Sequence, residues 1–490
     1  MTCDTHQKAG SGRIDPSIRS KAFALVALVL IAFITLKTHR TYAGGGDQPH
    51  YLLIAESLWS DGDLEMRNQY PAPETYLPHF DPPGHCVVTA RGRLFPFHDI
   101  GLPVFMIPLL AVIHHVVPLV PAKALVALRM DPLNFTVALF SFQSMAIAAL
   151  LALELLLYFR SYGFDDRWAF GLSALAVLTP PLLTHAYLFF TEIYSAAILL
   201  GAVLIYRARE PSPAHVFLYA LAVFALSWLH IKNELLVLAL GAMWFSRFAS
   251  RQRWFSAAFP MAVFALALAI RLAINWHYFG KVTFTGGWND PSLSLQQIPR
   301  SLVGMLFDRE TGLLFCDPLI FFLPLGLWAS RQSARQWWAC EGLLVMFYLA
   351  AVLPFYNWWA GWSPAGRHLV PIIPLLWLPL GKWIQTSLHS ESFVLRWPCR
   401  IAVAATCFIS AVLWQNPQWG WTQEDGINRW MHHITIRGVE WQWALPKISA
   451  TGPYLNVNVW VWTMLWAVLI VVSVAAARAK PQTGIHSPSA

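Results

Sequence analysis

The chain has 490 residues, 57% hydrophobic and 12% charged, with 25 Trp and a formal net charge of +8. Soluble domains carry a charged fraction of about 25%, so this composition excludes an ordinary water-soluble enzyme and indicates a polytopic membrane protein. Lys and Arg are spread over short links between apolar segments rather than gathered in one patch, which fits membrane topology better than a nucleic-acid partner.

Residues 1–19 form a tail. The first apolar run, 22–36, follows Arg13, Arg19 and Lys21, as a signal peptide would, but only Lys37-Thr38-His39-Arg40 comes after it. With no small-residue cleavage site it is expected to remain as a spanning anchor. The polar segment 37–99 then opens on Gly44-Gly45-Gly46-Asp47-Gln48-Pro49-His50-Tyr51. Three glycines permit a sharp turn, and Asp47 is placed to cap a helix that has Pro49 in its first turn. Leu52, Ala55, Leu58 and Trp59 recur at helical spacing, with Glu56, Ser57 and Ser60 off the stripe. This helix is expected to lie along the bilayer surface.

A hydrocarbon core of about 30 Å needs roughly 20 residues per helix. Candidate spans fall at 20–36, 100–118, 133–157, 168–183, 187–206, 214–230, 233–246, 255–274, 312–329, 338–355, 367–384, 399–414 and 456–477. Several are short and rich in Pro, so the expectation is about 11–13 crossings in an all-α bundle. Links holding Arg207 and Arg209, Arg247, Arg251 and Arg253, Arg331 and Arg335, and Lys382, Arg396 and Arg400 read as cytoplasmic. The longer links 37–99, 275–311, 356–366 and 415–455 then fall outside. Thirteen crossings from an inside start would leave the C-terminus outside, against Arg478 and Lys480. One segment between 100 and 246 is therefore expected to be a half-helix or re-entrant, near Pro180-Pro181 or in the pair 214–230 and 233–246.

Six cysteines, at 3, 86, 316, 340, 399 and 407, form no CxxC pair and no zinc spacing, and His79 and His85 lack it too. Aromatic residues such as Trp276, Tyr278, Trp358, Trp359, Trp362 and Trp421 crowd the outer ends of spans, as an interfacial belt does. Some of them would instead stack on a sugar face or a lipid chain. Polar residues collect on the same side. The first outer segment holds Asp47, His50, Glu56, Asp81, His85, His98 and Asp99; the second Asn289, Asp290, Asp308, Arg309 and Glu310; the third Trp362, Arg367 and His368. Glu192, His230, Lys232 and Glu234 sit near span ends, where ionisable groups are costly and tend to be functional. Carboxylates beside cationic loops at a lipid surface suit glycosyl transfer from a lipid phosphate. A carboxylate takes the acceptor proton, and Arg or a divalent metal holds the departing phosphate.

Gly46-Asp47-x-Pro-x-Tyr51-Leu52, Asp61-Gly62-Asp63-Leu64, Gly101-Leu102-Pro103, Trp228-Leu229-His230-Ile231-Lys232, the stretch from Leu306 to Leu314 around Asp308-Arg309-Glu310, and Gly366-Arg367-His368-Leu369-x-Pro371 occur in that order. The order resembles bacterial members of the GT-C membrane glycosyltransferases, a superfamily that includes protein O-mannosyltransferases and lipid A aminoarabinose transferases. The resemblance implies a GT-C-like bundle with juxtamembrane helices in the first outer loop. It implies a catalytic module over 20–384, a C-terminal membrane region over 385–477 and a tail over 478–490. It further implies inverting transfer from a polyprenyl-phosphate sugar to a glycan, lipid or protein acceptor at the periplasmic face of a bacterial inner membrane. Asp47 matches the family's first-loop acid, as general base or as ligand to Mg or Mn. Many relatives carry two adjacent acids there, whereas Gln48 follows Asp47 here. Asp308 would be a second acid and Arg367 a contact to the donor phosphate. His50, Glu56, His98, Glu192, His230, Lys232, Arg309, Trp362 and His368 would bind substrate. Asp308 is also placed to cap a helix, and Arg367 to anchor one at the interface. A transporter or lipid-linked sugar flippase is the rival reading, although two related halves with mid-span charges are not apparent. An inactive scaffold of the same architecture is the other.

Overall fold

The computed structural model describes residues 16–478 apart from 36–44, 71–84, 90–91, 209, 251, 281, 283–292, 330–335, 436–437, 439 and 449–454. Gly44, His79, Asp81, Arg209, Arg251, Asn289, Asp290, Arg331, Arg335, Lys480 and most of both tails lie outside the described residues. Each of the expected apolar segments contains helix, and the only sheet among the described residues is a two-stranded hairpin.

In chain order the elements that frame the site are α1 (Pro16–Ile34), α2 (Gln48–Ser60), β1 (Cys86–Val88), β2 (Leu94–Pro96), α3 (Gly101–Val116), α4 (Pro132–Ser161), α5 (Asp166–Val177), α6 (Thr191–Arg207), α7 (Pro213–Leu229), α8 (Glu234–Ala249) and α9 (Trp254–Phe279). Among the described residues seven helices are long and apolar enough to cross a membrane: Ser17–Ile34, Gly101–Leu119, Pro132–Ser161, Trp254–Phe279, Arg367–His389, Phe393–Gln415 and Val457–Ala475. This is an all-α polytopic membrane protein. The other expected spans form shorter helices, which is why seven and not 11–13 meet the length criterion. α5, with 12 residues, is the shortest of the helices framing the site. At about 1.5 Å per residue it reaches ~18 Å, well short of a ~30 Å core. It stops before Pro180 and Pro181, which supply no N–H to continue it.

Outer helices turn large apolar side chains away from the protein, with Phe23 75%, Phe255 82% and Val457 76% exposed, as a lipid-facing surface requires. At the centre, Arg367–His389 has 83% of its apolar window buried, against 11% for Val457–Ala475. Arg367 therefore opens the most enclosed span of the bundle. The left-handed turn at Gly366 (φ +77°) puts it there, with the Gly366 N–H donating to the Thr311 carbonyl at 3.1 Å.

α2 corrects one expectation. It packs along α3, and Gln48–Ala55 and Ser57 are all buried, so no free apolar stripe faces a bilayer surface. Trp59, assigned to that stripe, is 42% exposed. Packing on α3 and the cover of neighbouring loops override a pattern only two turns long.

At Gly366 a Cβ would also stand 3.1 Å from Leu313 Cδ1 and 3.3 Å from Pro181 Cβ. Gly366→Ala should therefore destabilise the protein by about 1–2 kcal/mol, the cost of a non-glycine residue in the left-handed region. Gly171→Ala, in helical α5 with open space around the new methyl, should be neutral or slightly stabilising. Thermal unfolding of both variants in the same nanodisc decides; equal midpoints would contradict the turn's importance.

Candidate functional site

Asp47 sits at the head of α2, yet its carboxylate makes no capping bond. Its carbonyl does the local work, accepting the His50 and Tyr51 N–H groups, each at 3.1 Å. The side chain reaches across the fold, where Oδ2 accepts a hydrogen bond from Arg367 Nη2. Gly46 (φ +58°) makes that reach possible, because a Cβ there would collide with the Trp362 carbonyl oxygen.

Arg367 is 6% exposed and stands between two acids. Besides Asp47, its Nε donates to Glu192 Oε1 at 3.0 Å and its Nη1 to the Ala360 carbonyl at 3.4 Å. The guanidinium lies 4.2 Å above the Phe190 ring. Glu192 is fully buried in the first turn of α6, where the helix dipole favours an anion. It accepts a second bond from Lys232 Nζ. Lys232 stands on the short turn Ile231–Asn233 between α7 and α8, fixed by Asn233 Nδ2 donating to Ser195 Oγ at 3.1 Å. The result is an alternating chain, Asp47–Arg367–Glu192–Lys232, drawn from four distant segments and neutral overall. Burial would raise the Asp47 carboxyl, but Arg367 and His98 outweigh it and hold it well below the usual carboxylate range. Its side chain is 21% exposed, and among the described residues Oδ1 carries no hydrogen bond. An ionised oxygen is thus left to meet a ligand.

On its other flank Asp47 meets imidazoles. The hairpin pairs Cys86 with Pro96 and Val88 with Leu94, and Phe97 N–H donates to the His85 carbonyl at 3.3 Å. That pairing brings His85 and His98 together at the open end, Nδ1 to Nε2 at 3.0 Å. Ligand atoms of Asp47, His85 and His98 all lie within 4.8 Å of one another. Burial lowers the His98 imidazole to about 4 and the His85 imidazole below its usual value, so both are neutral near pH 7, the form that ligates metal. Two imidazoles and one carboxylate suit Zn²⁺, Mn²⁺ or Co²⁺ better than Mg²⁺, which prefers oxygen ligands. His50 backs the cluster, stacked on His85 at 3.6 Å with Nδ1 at 2.6 Å from the Tyr70 hydroxyl.

Other expected site residues are placed differently. Asp308 is 4% exposed and its acceptors are taken: Oδ1 by Glu310 N–H, Thr311 N–H and the Thr311 hydroxyl at 2.9–3.0 Å, Oδ2 by Ile448 N–H at 2.7 Å. A carboxylate so saturated staples two loops and is not placed to take a substrate proton. Arg309 donates to the Gly426 carbonyl at 2.6 Å and lies 4.3 Å over Trp443, so it too serves the 415–455 loop. Glu56 pairs with His114 at 3.0 Å, away from the Asp47 cluster. His368 Nε2 is bonded to the Asn357 carbonyl at 3.0 Å and pins the 356–366 loop. Trp362 brings its carbonyl against Gly46 and is itself 58% exposed. His230 Nδ1 accepts the Lys232 N–H at 3.2 Å and lies 3.7 Å from Asp99.

Asp99 leads to a second cluster, whose arginine, Arg271, is not among the residues expected from the sequence. Its Oδ1 accepts from Arg271 Nη1 at 2.7 Å and its Oδ2 from Ile231 N–H at 2.9 Å, while Arg271 Nη2 lies 3.6 Å from Glu234. Arg271 is a basic residue deep inside an apolar run, and that position was the available signal. Comparison with known proteins assigns no family: no protein-family model matches the chain, and no curated protein matches it.

Removing one partner from a buried pair strands the other charge, at a cost of about 3–5 kcal/mol. Arg367→Ala leaves both Asp47 and Glu192 short of a cation and should lower stability by that order in thermal unfolding. Asp308→Ala should instead loosen 415–455 and speed its cleavage in limited proteolysis. Digestion no faster than wild type would show that Asp308 is not the staple.

Proposed function

We propose that the protein is a GT-C-type membrane glycosyltransferase, moving a sugar with inversion from a polyprenyl-phosphate donor to an acceptor hydroxyl at the periplasmic face of a bacterial inner membrane. The observation that carries the reading is Asp47: one ionised, unbonded carboxylate oxygen at the meeting point of the first loop and the loop before Arg367. The order of motifs along the chain supports it. In the step, the acceptor oxygen bonds to the anomeric carbon as its proton passes to Asp47. The bond from that carbon to the phosphate oxygen breaks, and its electrons leave with the lipid phosphate.

Arg367 takes a role other than the expected phosphate contact. Both its acid-facing edges are committed, so it positions Asp47 and keeps it charged. Lys232 is neutralised by Glu192 in the same way. The four-residue chain therefore offers no spare positive charge to a departing phosphate. A divalent ion held by Asp47, His85 and His98 would supply that charge. Such an ion would occupy the Asp47 oxygen that otherwise accepts the proton, so Asp47 would serve as ligand with the ion present and as base without it.

Asp47→Asn should reduce sugar transfer by about 10²–10⁴-fold in nanodisc-reconstituted protein, the usual contribution of a general base, and should lower the unfolding midpoint less than Arg367→Ala does, because Arg367 keeps its bond to Glu192. Turnover equal to wild type would remove Asp47 from the mechanism. Absence of any transfer by wild type across polyprenyl-phosphate sugars would favour the scaffold or transporter reading. Chelation should silence transfer and Mn²⁺ restore it more fully than Mg²⁺; His98→Ala should not be rescued by Mn²⁺ at the same concentration. Activity indifferent to chelator would leave the carboxylate working alone.

A further inference from the structure

α3, with the turn Val117–Leu119 after it, has the length and apolarity of a membrane span, yet its contacts place both of its ends on one face of the bundle. α4 supplies the axis. Near its last residue Arg160 pairs with Asp166 at 3.0 Å, and Asp166 also takes Lys21 of α1 at 2.9 Å. Ser144 stands ~24 Å from that end, at about 1.5 Å per residue. Its hydroxyl is 3.0 Å from Tyr194 in the first turn of α6, beside Glu192 of the charged chain. Pro132, where α4 begins, lies farther in the same direction. α4 therefore starts on the face that holds Asp47 and ends on the opposite one.

α3 also starts on the Asp47 face. Gly101 touches the Trp228 carbonyl so closely that a Cβ would collide, and the Phe105 ring meets the Tyr194 ring at 5.4 Å. A course across the bilayer from there would put His114 about 20 Å deeper. His114 is held 3.0 Å from Glu56 of α2, and the two helices pack along each other. α2 would have to descend as well, taking the exposed Asp61 and Asp63 into hydrocarbon, where carboxylates are costly. Glu65 fixes the level independently, because it accepts the Leu94 N–H at 2.8 Å in the hairpin that carries His85 and His98. α2 and α3 thus run side by side along the Asp47 face. The short pieces Val117–Leu119 and Ala122–Leu128 then lead, past exposed Lys123, to the Asp131 cap of α4 on that same face.

We infer that α3 does not cross the membrane but lies in the leaflet on the Asp47 side, with its outward face against acyl chains. Both faces of the helix are apolar, for different reasons. Leu102, Met106, Leu110 and Ile113 are buried against the protein, whereas Phe105, Val112 and Val116 are 47%, 53% and 42% exposed. An exposed apolar stripe continuous with the lipid-facing surface of the spans is held by burial at the boundary of headgroups and chains. The interfacial role expected of α2 thus passes to the helix beneath it. Crossing parity follows. α5 and the turn after it do get across, since Asp166 meets Lys21 at one face and Glu192 meets Arg367 at the other. With 101–119 taken from the thirteen expected segments, an even number of crossings is left, and Arg478 falls on the face of Arg207 and Arg247, as the distribution of basic residues requires. None of this depends on sugar transfer.

The test uses full-length protein in sealed, uniformly oriented vesicles and a membrane-impermeant maleimide, with each adduct located by peptide mass spectrometry so that native cysteines do not interfere. Asp61→Cys and Arg167→Cys, both at exposed positions, mark the two faces. Lys123→Cys, just past the far end of α3, should be labelled from the same side as Asp61→Cys, while Arg167→Cys reacts only once the membrane is permeabilised or inverted. Labelling of Lys123→Cys together with Arg167→Cys, or from neither side, would overturn the inference. For the outward face, benzoylphenylalanine in place of Val112 should form phospholipid adducts on irradiation in nanodiscs, and the same probe in place of Asp61 should form none. No lipid adduct at Val112, or an adduct to a second protein chain, would overturn the lipid assignment. Unfolding midpoints are compared with wild type, and Val116 replaces Val112 if that variant does not fold.

Discussion

A guanidinium clamped between two carboxylates sets the geometry on which the rest of this structure depends. Arg367 joins Asp47, 320 positions away, to Glu192, 175 positions away. In a poorly polarisable interior each of these charges is tolerated only while its partners are present, so the chain must bring all of them together or none. The local backbone is arranged to match. Gly46 lets the Trp362 carbonyl come close, and the left-handed turn at Gly366 sends Arg367 inward instead of toward lipid. Sequence-distant loops are thus fixed to one another through buried ion pairs.

The same device occurs twice. Asp99 pairs with Arg271, and Arg271 also faces Glu234, which stands in the first turn of α8 as Glu192 stands in the first turn of α6. The polar segment 45–100 is therefore pinned at its start through Asp47 and at its end through Asp99, each time by a buried arginine shared with an acid at a helix N-terminus. Between the two pins the hairpin is held by Leu94 N–H donating to Glu65 Oε1 at 2.8 Å and Met66 N–H donating to the Leu94 carbonyl at 2.8 Å. His85 and His98 owe their meeting to this frame. The turn 308–312 plays a comparable part for the C-terminal loop, with Glu310 accepting the N–H groups of Gln423, Glu424 and Gly426 at 2.6–2.8 Å.

Much of the helical organisation is legible in the sequence, because apolar runs of span length admit few alternatives in lipid. The pairing of the first loop with Gly366-Arg367 is foreshadowed by glycines beside an acid and a base, though not its partner Glu192. What the sequence does not disclose is side-chain direction. Asp308 and Arg367 both sit in polar motifs beside a glycine, yet one carboxylate turns to Ile448 N–H and the guanidinium turns to Asp47. His85 carries no metal spacing in one dimension, since 13 positions separate it from His98, and only the hairpin register makes them neighbours. Glu56 belongs to the right loop but projects from α2 two turns beyond Asp47, where His114 is the group within reach. Motif order locates segments; the hydrogen bonds open to each residue decide its use.

Electroneutrality then narrows the chemistry. Asp47 and Glu192 against Arg367 and Lys232 sum to zero, and the nearby imidazoles are held neutral by burial, so the cluster has no net charge to spend on binding an anion. Arg271 with Asp99 and Glu234 leaves no cationic excess either. Such an interior is stable without ligand, which explains how so many ionisable groups persist at the heart of an apolar bundle. Any anionic substrate must therefore bring its counter-charge or find it in an ion taken up beside Asp47. Two polar clusters at the two ends of one loop are thus each balanced within themselves, and neither offers an uncompensated cation.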